Sequence, residues 1–291
     1  MSGSILIRKG LVFFAAATIV ILVFAAAFAP VITPHDPCEI SLTDKFSPPS
    51  IEHPLGCDHL GRDVLSRLIY GARVSMGSVA AIVTVIMTLG FAVGATAGFC
   101  GGRVDSTLMR ICDVFMTFPT FILAMFLIGV LGTGIVNVII AVSLTHWAWY
   151  ARIIRSMVLS LKNREYLLAA RVAGTSRLMV VIRHIIPPVF AQLSILATLD
   201  LGHMMMHVSG LSFLGLGITP PTPEWGVMIA DARQYVWTHP ELIMYPGLMI
   251  FIMVMAFNIL GDAMRDALDP HTADTHSDEP AGGLLTAQEA H

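Results

Sequence analysis

Long apolar stretches broken by short polar ones set the pattern of this chain. Six runs stand out: Leu11–Ala29, Val74–Gly98, Leu108–Leu131, Ile135–Tyr150, Val189–Leu216 and Met244–Leu260. A helix rises about 1.5 Å per residue, so about 20 residues cross a hydrocarbon core about 30 Å thick. The pattern therefore predicts an all-α, polytopic membrane protein with six transmembrane helices. The fourth run is the shortest and completes its span only with Trp147 and Trp149 at the interface. The first run follows Arg8 and Lys9, as a secretion signal would. It is longer than a typical signal core and is read as a retained first helix.

Basic residues orient the spans. With the N-terminus inside, the inner segments hold Arg8, Lys9, Arg103, Arg110, Arg152, Arg155, Lys162, Arg164, Arg171, Arg177, Arg183 and Arg265. The outer side then keeps only Lys45, Arg62, Arg67, Arg73 and Arg233. That asymmetry follows the positive-inside rule and places both termini in the cytoplasm. Trp147 and Trp149 then fall at the inner end of the fourth span, and Trp225 and Trp237 in the outer loop before the sixth. All four are expected at membrane interfaces, where an amphipathic ring is most stable.

Residues 1–73 comprise the first span and an outer strap, and 74–270 the remaining five spans. The strap is rich in proline (Pro30, Pro34, Pro37, Pro48, Pro49), which forbids a continuous helix. After Asp58, a possible cap, Arg62 to Ala72 is expected to form a short amphipathic helix. Val64, Leu65, Leu68 and Ile69 would face the lipid, with Asp63 and Arg67 paired at i,i+4. Cys38 and Cys57 lie in the strap, where an oxidising compartment permits a disulfide. Neither they nor Cys100 and Cys112 have metal-motif spacing.

One inner segment departs from the apolar pattern. Arg164 to Pro187 is basic and polar, so it cannot lie in lipid and must hang between two spans. Leu167, Leu168, Ala169 and Ala170 give a small-residue face on which another protein's backbone can sit closely. Gly174 ends that helix in the left-handed conformation, and Thr175 or Ser176 caps the next. Pro187 and Pro188 fit the first turn of the fifth span, where no donor is lost. The plain alternative is an ordinary cytoplasmic helical hairpin. The spacing of Ala169-Ala170, Gly174 and Pro187 resembles the EAA loop of bacterial ABC importer permeases, with Leu168 where the family carries an acidic residue.

The rest of the chain resembles the dipeptide, oligopeptide and nickel branch of those permeases in ordered blocks. They are His53-Pro54-Leu55-Gly56-Cys57-Asp58 with Gly61-Arg62-Asp63; Asp113 with Pro119; Trp149-Tyr150-Ala151-Arg152; Leu211 to Gly217; Glu224-Trp225-Gly226; and Phe257 to Asp262 running to Pro270. Only the polar segment 271–291 falls outside and is expected to be a disordered cytoplasmic tail. The details at Thr145–Tyr150, Leu199–His207 and Asp231–Tyr235 look most like the nickel-transporting members. The resemblance implies a bacterial inner-membrane subunit working by alternating access. Its implied partners are a homologous second permease, two ATP-binding subunits and a periplasmic binding protein, with nickel as transported substrate. Leu168, Ala169, Ala170 and Gly174 would couple to the ATPase.

The fifth span carries the candidate chemistry. At about 100° per residue, Asp200, His203, Met204 and His207 share one arc of roughly 100°. Ionisable groups at mid-membrane are costly and face a bundle interior or a wet path. Imidazoles at i,i+4 can reach one ion, and imidazole suits Ni(II); His203 and His207 are the candidate ligands. Interhelical hydrogen bonding and packing is the competing reading, and methionine is more often filler than ligand. His146 on the fourth span is a weaker path candidate, and His184 reads as structural. The scattered tail histidines His271, His276 and His291 do not make a metal site.

Charged residues are 13% of the chain and hydrophobic ones 55%, against about 25% charged in soluble domains. A net charge of -3 gives no footprint for nucleic acid. No phosphate-binding G-x-x-x-x-G-K-[ST], H-E-x-x-H or C-x-x-C occurs, so the chain itself is not expected to be an enzyme and ATP belongs to another subunit. Peptide or an opine-chelated metal is the alternative cargo. A passive channel or secondary carrier is the alternative mechanism.

Overall fold

Most of the apolar runs form single helices, even Val64–Cys100 with its glycines and Glu241–Leu268 with Pro246, whereas the run that contains Pro119 is broken in two. The computed structural model describes residues 2–268, and the expected tail at 271–291 lies outside them. In chain order the helices are α1 (Ser2–Ala27), α2 (Ala29–Ile32), α3 (Val64–Cys100), α4 (Gly102–Thr117), α5 (Thr120–Leu131) and α6 (Ile135–Lys162). They continue with α7 (Glu165–Val172), α8 (Arg177–Val180), α9 (Ile186–Phe213), α10 (Trp225–Ala232) and α11 (Glu241–Leu268). No strand occurs among the described residues, where one isolated bridge joins Cys57 to Asp63.

Four helices are each long and apolar enough to cross a membrane: α1, α3, α11, and α9 with the π-helical turn before it. The third expected span is broken into α4 and α5, bent by 87°. Pro119 explains the break, because it drives Phe118 into an extended conformation (φ -95°, ψ 140°). The fourth expected span belongs to α6, which is 28 residues long. Its inner half, from Thr145 through Arg152, is too polar for the helix to qualify on composition. The structure thus supplies four straight spans, or five with the bent pair, where the sequence pattern predicts six.

Small residues set the closest packing. Gly90, Gly94 and Gly98 line one face of α3, and α6 lies against them. A Cβ built at Gly94 would come within 2.3 Å of the Ala151 carbonyl oxygen, and one at Gly90 within 2.6 Å of Tyr150 Cβ. This small-xxx-small contact lets two membrane helices approach backbone to backbone. It also fixes the height of Tyr150 in the bundle. At the C-terminal end of α3, Arg155 Nη2 donates to Asp105 Oδ2 at 2.6 Å, and Arg152 pairs with Asp113, so α4 is tied to α6.

The outer strap departs from expectation in several respects. No separate interfacial helix forms, and residues from Val64 onward continue into α3. Val64 and Leu68 are buried in the protein core rather than facing lipid, and Leu65 and Ile69 are half-buried. Asp63 caps α3 by accepting from the Ser66 backbone N at 2.7 Å, so its carboxylate is not Arg67's partner. Arg67 instead joins a buried network with Arg62, Asp58 and Asp231. Arg62 donates to Asp58 Oδ2 at 2.7 Å and to Asp231 Oδ2 at 3.0 Å, while Arg67 Nη1 donates to the Pro37 carbonyl at 3.0 Å. Long-range partners satisfy these charges better than a helical neighbour would, because two buried guanidinium groups need more than one carboxylate. Cys38 Sγ donates to the Pro221 carbonyl at 3.6 Å, and the possible Cys38–Cys57 bond is not made. Burial, reinforced by Asp63, pushes the Cys57 thiol up to about 11.

Two of the four tryptophans are interior rather than interfacial. Trp225 is fully buried, with its indole N–H donating to the Leu68 carbonyl at 3.1 Å. Beside it, the buried Glu224 accepts from Val227 N (2.9 Å), Ser75 Oγ (3.1 Å) and Ser209 Oγ (3.2 Å), pinning α10 to α3 and α9. Trp147 is buried with Cys112, Ala148 and Ala151. Trp149 and Trp237 are exposed, at 39% and 93%.

Candidate translocation path and coupling helix

Asp200 lies near the middle of α9 and is buried. Tyr150 donates its phenolic O–H to Asp200 Oδ2 at 3.1 Å, reaching across from α6. His146 Nε2, one turn away on α6, lies 3.2 Å from the same oxygen without forming an aligned hydrogen bond. His203 Nδ1 is 4.0 Å from Asp200 Oδ1, and its side chain is 70% exposed. The carboxylate is therefore anchored between two helices while its histidine neighbour on α9 faces out of the bundle.

The four residues expected on one face divide. His207 Nδ1 donates to the His203 carbonyl at 2.9 Å, which leaves its Nε2 open. The Phe121 ring meets His207 edge-on at 5.8 Å. Met204 is fully buried in the core with Met205, away from the exposed histidine. His146, the weaker candidate, makes the closer contact with Asp200. Tyr150 escaped the sequence reading altogether, although it sits in the quoted Trp149-Tyr150-Ala151-Arg152 block. A helix-spacing argument works within one element and cannot show which residue of a second helix crosses at the same height.

Following α6, α7 spans Glu165–Val172, as the polar segment predicts. Thr175 N donates to the Ala170 carbonyl at 3.0 Å across Gly174, whose φ is +83°. That closing bond and the left-handed glycine form the C-terminal cap expected from the sequence. Ser176 then caps α8, its Oγ accepting from Met179 N at 3.3 Å. Leu167 is buried, whereas Tyr166, Ala169 and Val172 are exposed, Val172 at 90%. The side chain of Leu168 lies outside the described residues. Between α8 and α9, the π-helical turn Val181–Ile185 precedes Pro187 and Pro188, which occupy the first turn of α9. His184 meets the Tyr166 ring edge-on at 6.2 Å, a packing contact.

The structure is that of a polytopic membrane protein, a bundle of membrane-length helices with an exposed, capped helix between α6 and α9. Residues 90–274 match the family described as "Binding-protein-dependent transport system inner membrane component", and the chain belongs to that family. Among its relatives, the Escherichia coli "Nickel transport system permease protein NikC" is 56% identical over 244 residues, covering 84% of this chain and 88% of that protein. The Staphylococcus aureus "Metal-staphylopine import system permease protein CntC" is 41% identical, covering 87% of each chain. The Pseudomonas aeruginosa "Di/tripeptide transport system permease protein DppC" is 39% identical, covering 86% of this chain and 84% of that one. A chain from the "Crystal structure of an amino acid ABC transporter with histidines" shares the fold. Its TM-score is 0.55 at 14% identity, covering 70% of this chain and 95% of that one.

Proposed function

We propose that this chain is a permease subunit of an ATP-driven importer that carries nickel, free or chelated, inward across the bacterial inner membrane. The observation that carries this reading is the 56% identity to the nickel permease, well above that to the peptide permease. The exposed His203 beside a buried carboxylate supports it, since borderline divalent ions favour imidazole. A homologous second permease would lie against this face, with the path between them. His203 and His207 would line that path, with Asp200 and His146 setting ring orientation and local charge. Met204, being sealed in the core, is assigned to packing.

The exposed face of α7, at Ala169 and Val172, would dock on one of two ATP-binding subunits. Gly174 would hold the angle at which α8 and α9 receive the motion. A periplasmic binding protein would deliver cargo at the strap end, and both termini would face the cytoplasm. Alternating access would follow from the ATPase closing and reopening, which biases two packings of the same helices. The staphylopine-import relative favours a chelated metal as the second reading.

The test is ATP-dependent uptake of radiolabelled nickel by the complete transporter, comparing wild type with a His203→Ala/His207→Ala double variant. Uptake lost while the complex still assembles supports these residues as path-lining. Unchanged uptake in the variant would return both histidines to packing. Failure of the wild type to take up nickel, with dipeptide uptake intact, would reject the cargo.

A further inference from the structure

Among the described residues, one group of side chains of metal-ligating type gathers in the strap and at the start of α3. One ligand atom from each of His35, His53 and Asp63 falls within 4.8 Å of the others. The two imidazole rings are 4.6 Å apart, tilted by 34°. Each ring is already oriented by an oxygen. His53 Nδ1 donates to Asp63 Oδ1 at 3.0 Å, and His35 Nε2 donates to the Glu52 carbonyl at 3.0 Å. The Glu52 bond leaves Nδ1 of His35 with its lone pair, as an outer-shell oxygen does for a metal-ligating histidine. A cation held by both His53 and Asp63 would take the place of the proton between them, His53 carrying its N–H on Nε2 instead.

The backbone beneath is fixed as well. His35 N donates to Ser66 Oγ at 3.1 Å, and the His53 carbonyl accepts from Ser50 N and Gly56 N at 2.8 and 2.9 Å. Asp63 is held by its capping bond to Ser66 N. A cavity of about 190 Å³ opens over the three residues, with Asp36, Glu39 and Glu52 in its wall. No lysine or arginine lines it. A group of carboxylates without a nearby basic side chain attracts a cation.

We propose that His35, His53 and Asp63 form a binding site for a borderline divalent transition ion of the nickel, cobalt and zinc class. The mixed nitrogen and oxygen donor set selects such ions over magnesium and calcium, which favour all-oxygen sites. The site stands on its own geometry, and its use as an outer relay toward the path rests on the nickel-importer reading. It would receive the ion at the strap before the ion reaches His203.

The experiment is titration of the purified full-length chain in detergent with nickel chloride, using an affinity tag without histidine and following binding by calorimetry. Wild type is expected to bind one more ion than His35→Ala, or to bind it about 100-fold more tightly. His53→Ala is expected to match His35→Ala, while the His203→Ala/His207→Ala variant keeps the site. Zinc and cobalt should compete, and magnesium should not. His53 also braces the cap residue Asp63, so if His53→Ala does not fold, His35→Ala decides. Identical titrations of wild type and His35→Ala, with nickel uptake intact, would overturn the site and leave the importer standing. A His35-dependent ion in a chain that imports only peptide would keep the site and overturn the relay.

Discussion

Tyr150 and Asp200 show what a single buried polar contact is worth in a membrane bundle. The phenol donates to a carboxylate that lies between helices, so Tyr150→Phe removes one interhelical hydrogen bond and leaves the carboxylate with His146. Such bonds contribute about 0.6–1.7 kcal/mol. Thermal unfolding of the detergent-solubilised chain should show a loss of that order. An unchanged transition would mean that His146 or water takes over the oxygen. His59 makes a different residue-level prediction. Burial lowers its pKa below the ordinary 6.5, with Asp58 opposing and Arg62 adding to the shift. The unfolded chain therefore takes up a proton before the folded one does. Stability should fall as pH drops from 6.5 toward the lowered folded pKa, and be unaffected by this group above that window. His59→Gln should flatten the acid side of the profile, measured as unfolding temperature between about pH 7.5 and about pH 5.5. Asp200, His203 and His207 could be singled out from the sequence because they share one helix, though helical spacing alone also grouped Met204 with them, which is buried. Tyr150 could not, since it is 50 residues away and only the helix crossing brings it to the carboxylate.

The α3–α6 pair carries the closest helix contact, and its glycines make the packing testable as an element. Gly94→Ala puts a methyl group where the Ala151 carbonyl oxygen already sits, 2.3 Å away. Overpacking of that kind costs about 1–3 kcal/mol. Gly77, on the same helix, has nothing within 4 Å, so Gly77→Ala should be neutral or slightly stabilising by helix propensity. The yield of monodisperse protein on size exclusion separates the two, and equal yields would show that α3 and α6 do not pack as described. Elements were legible wherever period and breakers agreed. Gly174 marked the end of α7, and the six apolar runs became helix except at Phe28, at the Phe118–Pro119 break and beyond Phe213. The strap helix misled because an apolar stripe reads alike whether lipid or protein covers it. Val64 and Leu68 have the same periodicity against a core as at an interface. Trp147 and Trp225 failed for the same reason, since an amphipathic ring is also stable in a core, as Trp225 is with its N–H on the buried Leu68 carbonyl. The network tying Arg62 to Asp231 spans 169 positions, and no local pattern announces it.

For the molecule as a whole, the untested quantity is which end faces the cytoplasm, and its native cysteines can report it. Cys38 is half-buried in the strap and Cys100 is exposed at the far end of α3, while Cys57 and Cys112 are buried. The 37 residues of α3 are long enough to put its two ends on opposite sides of a bilayer. The distribution of arginine and lysine assigns the Cys100 end to the inside, because Arg103, Arg110, Arg152 and Arg155 cluster there. A membrane-impermeant maleimide applied to intact spheroplasts should label Cys38 and spare Cys100, and permeabilisation should add Cys100. Cys57 should stay unlabelled in both, since burial shields it and holds its thiol protonated at a pKa of about 11. The opposite order of labelling would turn the molecule over. It would also carry α7 to the outside, where no ATP-binding subunit could reach Ala169. The same experiment thus tests orientation and the coupling role together, because basic charge and the exposed face of α7 lie at one end of the bundle.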